Sequence, residues 1–204
     1  SLESDFVDAK IDGSYSFKTI VPTIKDILSH SFPVFFGEGT HANVANATQH
    51  NSRQNNFTYH ATIKKSPQLF DYFNISYELF SPITISGEIN HPLHKMNLVA
   101  DVPYVAKKNK LIEKTQLEID IDPSIDKCLL RAFTEYPTKH GKMPLEIVCN
   151  GSDNQLDASV NWVVNRKEMF KGDLSLSSSF SKDENNNLTT DLTINPSNLI
   201  FNDS

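Results

Sequence analysis

The sequence predicts a mainly β protein, an antiparallel meander with two short helices. Three observations predict it. Apolar and polar residues alternate with a period of two along most of the chain, short runs of turn chemistry separate the alternating stretches, and only two stretches change to helical spacing. On the residues alone the same strands default to a two-layer β-sandwich, while the slim aliphatic and Gly lining favours an antiparallel meander curled into an open, taco-like trough.

The first alternating set is Val7, Ala9, Ile11, Gly13, Tyr15 and Phe17, with Asp8, Lys10, Asp12, Ser14 and Ser16 between them. Side chains alternate across a strand, so one face is apolar and the other wet. The period then changes. Ile20, Ile24, Ile27, Leu28 and Phe32 recur at helical spacing, Pro22 suits a first helical turn and Pro33 ends the pattern, which predicts a helix from Pro22 to Ser31. Residues 37 to 56 are rich in Gly, Asn, Thr, Gln and His, and predict a long mobile loop.

Alternation resumes at Phe57, Tyr59, Ala61 and Ile63, and Ser66-Pro67 followed by Leu69, Phe70 and Phe73 predicts the second helix. The remaining alternating sets follow one another: Ile83/Ile85/Gly87/Ile89, Met96/Leu98/Ala100/Val102, and Leu111 through Leu117, Ile119 and Ile121. Next come Cys128/Leu130/Ala132, Met143/Leu145/Ile147/Cys149 and Leu156/Ala158/Val160/Trp162/Val164. Phe170/Gly172/Leu174/Leu176, Leu188/Thr190/Leu192/Ile194 and Leu199/Phe201 complete the series. Turns are expected at His91-Pro92, Lys107 to Asn109, His140-Gly141, Asn150-Gly151, Asn165 to Glu168, Asp183 to Asn187 and Asn195-Pro196-Ser197. Links this short force antiparallel neighbours.

The 204 residues fit one elongated β unit, and a hydrophobic share of 38% favours a thin structure over one thick core. The net charge of -6 arises from 19 basic and 25 acidic residues spread along the chain, without the basic face of a nucleic-acid binder. No apolar run is long enough to cross a bilayer as a helix. Ser1 has neither an initiating Met nor a signal peptide behind it, and the end at Asn202-Asp203-Ser204 falls within a strand-like pattern; the sequence reads as a piece of a longer protein.

A sheet of roughly nine to eleven strands with one apolar face poses a physical problem. Exposure of that face costs about 25 cal/mol per Å². Two short helices cannot cover it, so it doubles over, closes as a barrel, or stays open as a trough shielded by something else, such as lipid.

No other constellation rises above a bland reading. His91 and His94 could begin a metal site, but Pro92 and the turn setting favour solvated turn histidines. Asp120 and Asp122, with Glu118 nearby, fit the wet face of a strand. Lys107, Lys108, Lys110 and Lys114 fit a solvated turn better than a headgroup site. The sequons at Asn56, Asn74 and Asn150 are expected by chance in an Asn-rich chain. No G-x-S-x-G, H-E-x-x-H or P-loop motif occurs, so neither an enzyme nor a cofactor is expected.

The run from Ser4 to Ile20, opening Ser-Asp-Phe and continuing through Asp8-Ala9, Ile11, Gly13, Tyr15 and Phe17 into a helix, resembles a recurrent stretch of the TamB family of translocation and assembly proteins, within the AsmA-like, repeating β-groove superfamily. It is most similar to Bacteroides-type members and to their C-terminal region. The resemblance extends through Ser66 to Phe73, Ile83 to Gly87, Val102-Pro103-Tyr104 with Asn109 to Glu113, Asp153 to Trp162, and Ile194 to Asp203.

The resemblance implies an inner-membrane-anchored protein of the Gram-negative periplasm whose apolar groove carries phospholipid acyl chains towards the outer membrane. It also implies a role in outer-membrane protein assembly with an Omp85-type partner. The groove would be lined by Val7, Ile11, Tyr15, Phe17, Ile83, Ile85, Ile89, Met96, Leu98, Val102, Leu117, Ile119, Ile121, Leu145, Ile147, Leu156, Val160, Trp162, Leu174, Leu176, Leu192 and Ile194. Cys128 and Cys149 fall on neighbouring strands, where a disulfide and two free thiols are equal expectations. A cell-surface β-sandwich binding module is the alternative function.

Overall fold

The computed structural model describes residues 1–37, 54–72, 77–107, 110–139, 141–164 and 170–201. Strands β1 (Leu2–Glu3) and β2 (Val7–Ser14) lead into helix α1 (Phe17–Ser29) and the four-residue α2 (Pro33–Phe36). Then come β3 (Asn56–Ile63), helix α3 (Pro67–Tyr72) and β4 (Glu78–Leu79). A run of hairpins completes the chain: β5 (Ile83–Asn90), β6 (Lys95–Lys107), β7 (Lys110–Asp122), β8 (Lys127–Thr138), β9 (Gly141–Ser152), β10 (Gln155–Val164), β11 (Phe170–Lys182), β12 (Leu188–Ile194) and β13 (Asn198–Phe201).

All thirteen strands form one antiparallel sheet in the order β1-β2-β3-β5-β6-β7-β8-β9-β10-β11-β12, with β4 beside β6 and β13 beside β11. Its two ends, β1 and β12, do not pair, so the sheet is open and fits a trough. The sandwich is not formed among the described residues, because no strand belongs to a second sheet.

Two of the sheet's long strands face an interrupted partner. β4 and β5 lie end to end along β6, and β12 and β13 along β11. At the second interruption side chains supplement the one backbone bond that remains, from Asn195 N–H to Ser175 O at 2.9 Å. The Ser175 backbone N–H donates to Ser197 Oγ at 3.2 Å, and Asn195 Nδ2 donates to Ser177 Oγ at 2.8 Å. Pro196, which could not donate to a ladder, sits at this break.

Two of the hairpin turns share one design. In each, a short 3₁₀ turn is capped by a side-chain oxygen, Asn90 Oδ1 for Leu93 N–H and Asp122 Oδ1 for Ser124 N–H. Each closes on a left-handed residue, His94 at φ 53° and Asp126 at φ 54°, followed by a lysine. Asp and His tolerate that backbone region better than most residues.

Three sequence expectations are corrected. The first helix starts at Phe17, not Pro22, so Phe17 is helical and 73% exposed rather than a lining residue. Burial of Ile20 with Ile24, Ile27 and Leu28 against the sheet outweighs the hydrogen bond lost at Pro22, whose exposed position leaves the freed carbonyl open to water. Pro33 opens α2 rather than ending helical structure. The turn expected at Asn150-Gly151 lies at Asp153-Asn154, both with positive φ, and Asn150 and Gly151 continue β9. Of the loop expected over residues 37 to 56, residues 38–53 lie outside the described residues, Asn55 is buried and Asn56 begins β3. The turns at Lys108-Asn109, His140 and Asn165 to Glu168 also lie outside them.

Candidate functional site

Strand register assembles the alternating residues into continuous apolar rows. One runs Ala9, Ala61, Ile85, Ala100, Leu117, Ala132, Ile147, Val160, Leu174 across nine strands, each residue directly opposite the next. The adjacent row runs Ile11, Tyr59, Gly87, Leu98, Ile119, Leu130, Cys149, Ala158, Leu176, Ile194. No member of either row is fully buried; Leu130 is 37% exposed and Ile194 68%. The rows are neither sealed by a second layer nor fully open to solvent.

A third row lies closer to the hairpin turns: Gly13, Phe57, Ile89, Met96, Ile121 and Cys128. Here the trough is covered. Ile27 of α1, fully buried, packs with Phe57, Ile89 and Ile121, flanked by Ile20, Ile24 and Leu28. A 13-residue helix reaches about 20 Å, or four inter-strand steps of about 4.8 Å. Phe32 extends the contact over Gly151 of β9, and Phe35 reaches Phe180 of β11 with ring centroids 4.8 Å apart. Together α1 and α2 form a helical strap along one margin of the apolar face.

Polar contacts tie the strap down at three places. At its start, Asn55 is 1% exposed. Its Oδ1 accepts from Ser16 N–H at 2.9 Å, and its Nδ2 donates to Thr19 Oγ1 at 3.0 Å and Thr23 Oγ1 at 2.7 Å. In the middle, the buried Asp26 carboxylate lies 3.2 Å from His91 Nε2 and 3.1 Å from His94 Nδ1. At its end, Asn154 N–H donates to Ser31 O and Val34 N–H donates to Asn154 Oδ1, both at 2.8 Å. The two histidines expected as solvated turn residues are therefore docking groups; the His91 side chain is only 14% exposed. Among the described residues no cluster suited to a metal ion is found.

Aromatic side chains keep the lining low. Trp162 lies across its cross-strand neighbour Gly172, and Tyr59 across Gly87 while its hydroxyl donates to Asn97 O at 3.0 Å. Glycine lets each ring settle onto the backbone. The titratable members of the rows are neutral, since burial pushes the Tyr59 hydroxyl and the Cys128 and Cys149 thiols up from their ordinary values. The two thiols are free; Cys149 faces Leu130, which places Cys128 diagonally from it.

The opposite face carries the charge. Arg131 bridges Glu118 at 3.8 Å and Glu146 at 3.6 Å on the flanking strands. Lys127 pairs with Asp120, and Lys95 with Asp122 at 2.6 Å, so the carboxylates singled out in the sequence are wet-face ion-pair members. Lys114 pairs with Glu135 at 2.7 Å. Pairs of this kind at the surface, Asp122 and Glu135 being the least exposed members, contribute little each, but they mark this face as the charged one.

Most expected lining residues therefore share one face. Leu192 and Ile194 lie at its margin on the outermost strand, 64% and 68% exposed, and Tyr15 packs against Phe57 just beyond β2. Asn55 and Asp26 were not legible as functional. Asn55 sits in an Asn-rich run, and Asp26 reads as one polar position of an amphipathic helix. No family model, no curated protein and no solved structure matches the chain.

Proposed function

We propose that the chain is a segment of a periplasmic envelope protein of a Gram-negative bacterium whose trough carries phospholipid acyl chains between the inner and outer membranes. Outer-membrane protein assembly beside an Omp85-type partner is the second role in this reading. Both follow from the TamB-family resemblance of the sequence. The observation that carries the proposal is the pair of apolar rows crossing at least nine strands without one fully buried residue.

The physics supports it. Nine strands span about 38 Å, against about 15 Å of hydrocarbon in one leaflet. An acyl chain can lie wholly along a row. Each methylene it buries contributes about 0.8 kcal/mol, so a continuous lining lowers the barrier to crossing water. The contacts are uniform and uncharged, which suits sliding over trapping. Transport of this kind needs no catalytic side chain.

Trp162 is the chain's single tryptophan and lies in the lining, which makes it a built-in probe. Phospholipid brominated along its acyl chains should quench Trp162 emission saturably, and native mass spectrometry of the purified protein should show bound phospholipid. Absence of both quenching and retained lipid would overturn the reading.

A further inference from the structure

The outward side of the strap carries a pattern that the trough does not use. Along α1, Phe17, Val21 and Lys25 follow one another in steps of four, which places them on one ridge, with Lys18 and Pro22 beside them. All five are exposed, Phe17 at 73% and Val21 at 61%. The Phe17 ring meets Tyr15 edge-on, with centroids 5.2 Å apart, and that contact leaves most of the ring in water. The one acidic residue of the helix, Asp26, is buried and turned inward to His91 and His94.

Charge sets this ridge apart. The chain as a whole is acidic, at -6, and on the sheet Lys10, Lys64, Lys114 and Lys142 each meet a carboxylate at 2.7 Å. Lys18 and Lys25 make no ion pair among the described residues. The ridge thus presents two cations beside two exposed apolar side chains, with no anion of its own helix among them. A protein partner is a poor match, because a single helix ridge falls far short of the roughly 800 Å² that a stable protein contact covers on each side. A bilayer surface makes no such demand. Apolar side chains enter the headgroup boundary while ammonium groups stay at the phosphates.

We propose that the outward face of α1, through Phe17, Lys18, Val21 and Lys25, docks this chain on the surface of a bilayer rich in anionic phospholipid. Phe17 and Val21 enter the interface, and Lys18 and Lys25 pair with headgroup phosphates. The attraction is therefore electrostatic at long range and is screened by salt. Docking leaves the inward face of α1 packed on Phe57, Ile89 and Ile121. It makes the covered margin of the trough the one nearest the membrane. That consequence for lipid rests on the trough reading; the docking itself does not.

The test is flotation of the protein with vesicles of phosphatidylcholine, alone or with about one third phosphatidylglycerol, at about 0.1 M and about 1 M salt. The protein should float with the anionic vesicles at low salt, and its apparent affinity should fall tenfold or more at high salt and on the neutral vesicles. Phe17→Ser/Val21→Ser and, separately, Lys18→Gln/Lys25→Gln should each lose tenfold or more while keeping a cooperative unfolding transition, since all four side chains are exposed. Absence of flotation, equal affinity for neutral and anionic vesicles, or full affinity in either variant overturns the docking. Should the serine variant fail to fold, Lys18→Glu/Lys25→Glu reverses both charges without altering an apolar position and should abolish flotation; undiminished flotation overturns the docking as well. Ala132→Glu alters the trough and not the strap, and should float as the parent does. Loss of flotation there, with the strap variants floating normally, would assign the contact to the trough and overturn docking on α1. Retained lipid and Trp162 quenching report on the trough, so their failure leaves the flotation result standing, and the reverse.

Discussion

The Trp162 indole rests directly on Gly172, close enough that a Cβ built at Gly172 would stand 2.0 Å from ring atom Cζ2. The two residues are opposite each other on β10 and β11. A methyl group at that position must lift the indole off the strand, and the nearest atoms in its way all belong to the ring.

Gly172→Ala is therefore expected to destabilise by about 1–3 kcal/mol, the range of small overpacking changes. It should also shift Trp162 emission to the red as the ring becomes more solvated. Urea denaturation and fluorescence measure the two effects together. Unchanged emission would show that the ring does not occupy that site.

Ala132 sits near the middle of the nine-strand row, half-buried between Leu117 and Ile147. A carboxylate there meets enough water to remain charged without unfolding the sheet, but it interrupts the apolar path. Ala132→Glu should retain a cooperative unfolding transition within about 2 kcal/mol of the parent while weakening brominated-lipid quenching of Trp162 tenfold or more. Arg131→Glu, one residue away on the solvated face, should leave quenching unchanged, which separates lining chemistry from net charge.

The strand content and the identity of the apolar face were legible because period-two alternation is local. Ile85, Ala100 and Leu117 announce their face from their own neighbours in sequence. That they stand side by side required only short antiparallel links. The strap's fastening was not legible, since it depends on residues far apart in the chain. Asp26 meets His94 across 68 positions, and Asn55 meets Ser16 across 39. β1 and β4, two residues each, carry too little pattern to register. Pro22 misled because its local preference for a first helical turn gave way to the packing of Ile20 on the sheet.

Asn55, 1% exposed, supplies the strap's first attachment with one acceptor and two donor contacts, the bond to Thr23 buried and the other two part-buried. Asn55→Ala leaves the Ser16 N–H and two threonine hydroxyls without it, at a cost of about 2–4 kcal/mol. Hydrogen exchange should show the loss concentrated in the first turns of α1, at every pH.

Asp183 closes the β11–β12 hairpin and offers a pH test on the opposite flank of the sheet. Its Oδ2 accepts from Asn187 Nδ2 at 3.0 Å, and its Oδ1 accepts from the Asn187 and Asn185 backbone N–H groups at 2.8 and 2.9 Å. These bonds, the Asn187 side chain's first, hold the carboxyl below its ordinary value. A carboxylate depressed on folding contributes stability that is full above the unfolded value and is lost as the pH falls through the folded one. The Asp183 carboxyl carbon, followed by NMR, should accordingly titrate below the ordinary aspartate range of about 3.9, and the hairpin amides of Asn185 and Asn187 should shift with the same midpoint. Asn187→Ala removes the leading donor while leaving a backbone N–H in place, so it should move that midpoint part of the way back up. A midpoint unmoved by Asn187→Ala would mean that the backbone N–H groups alone hold the carboxylate.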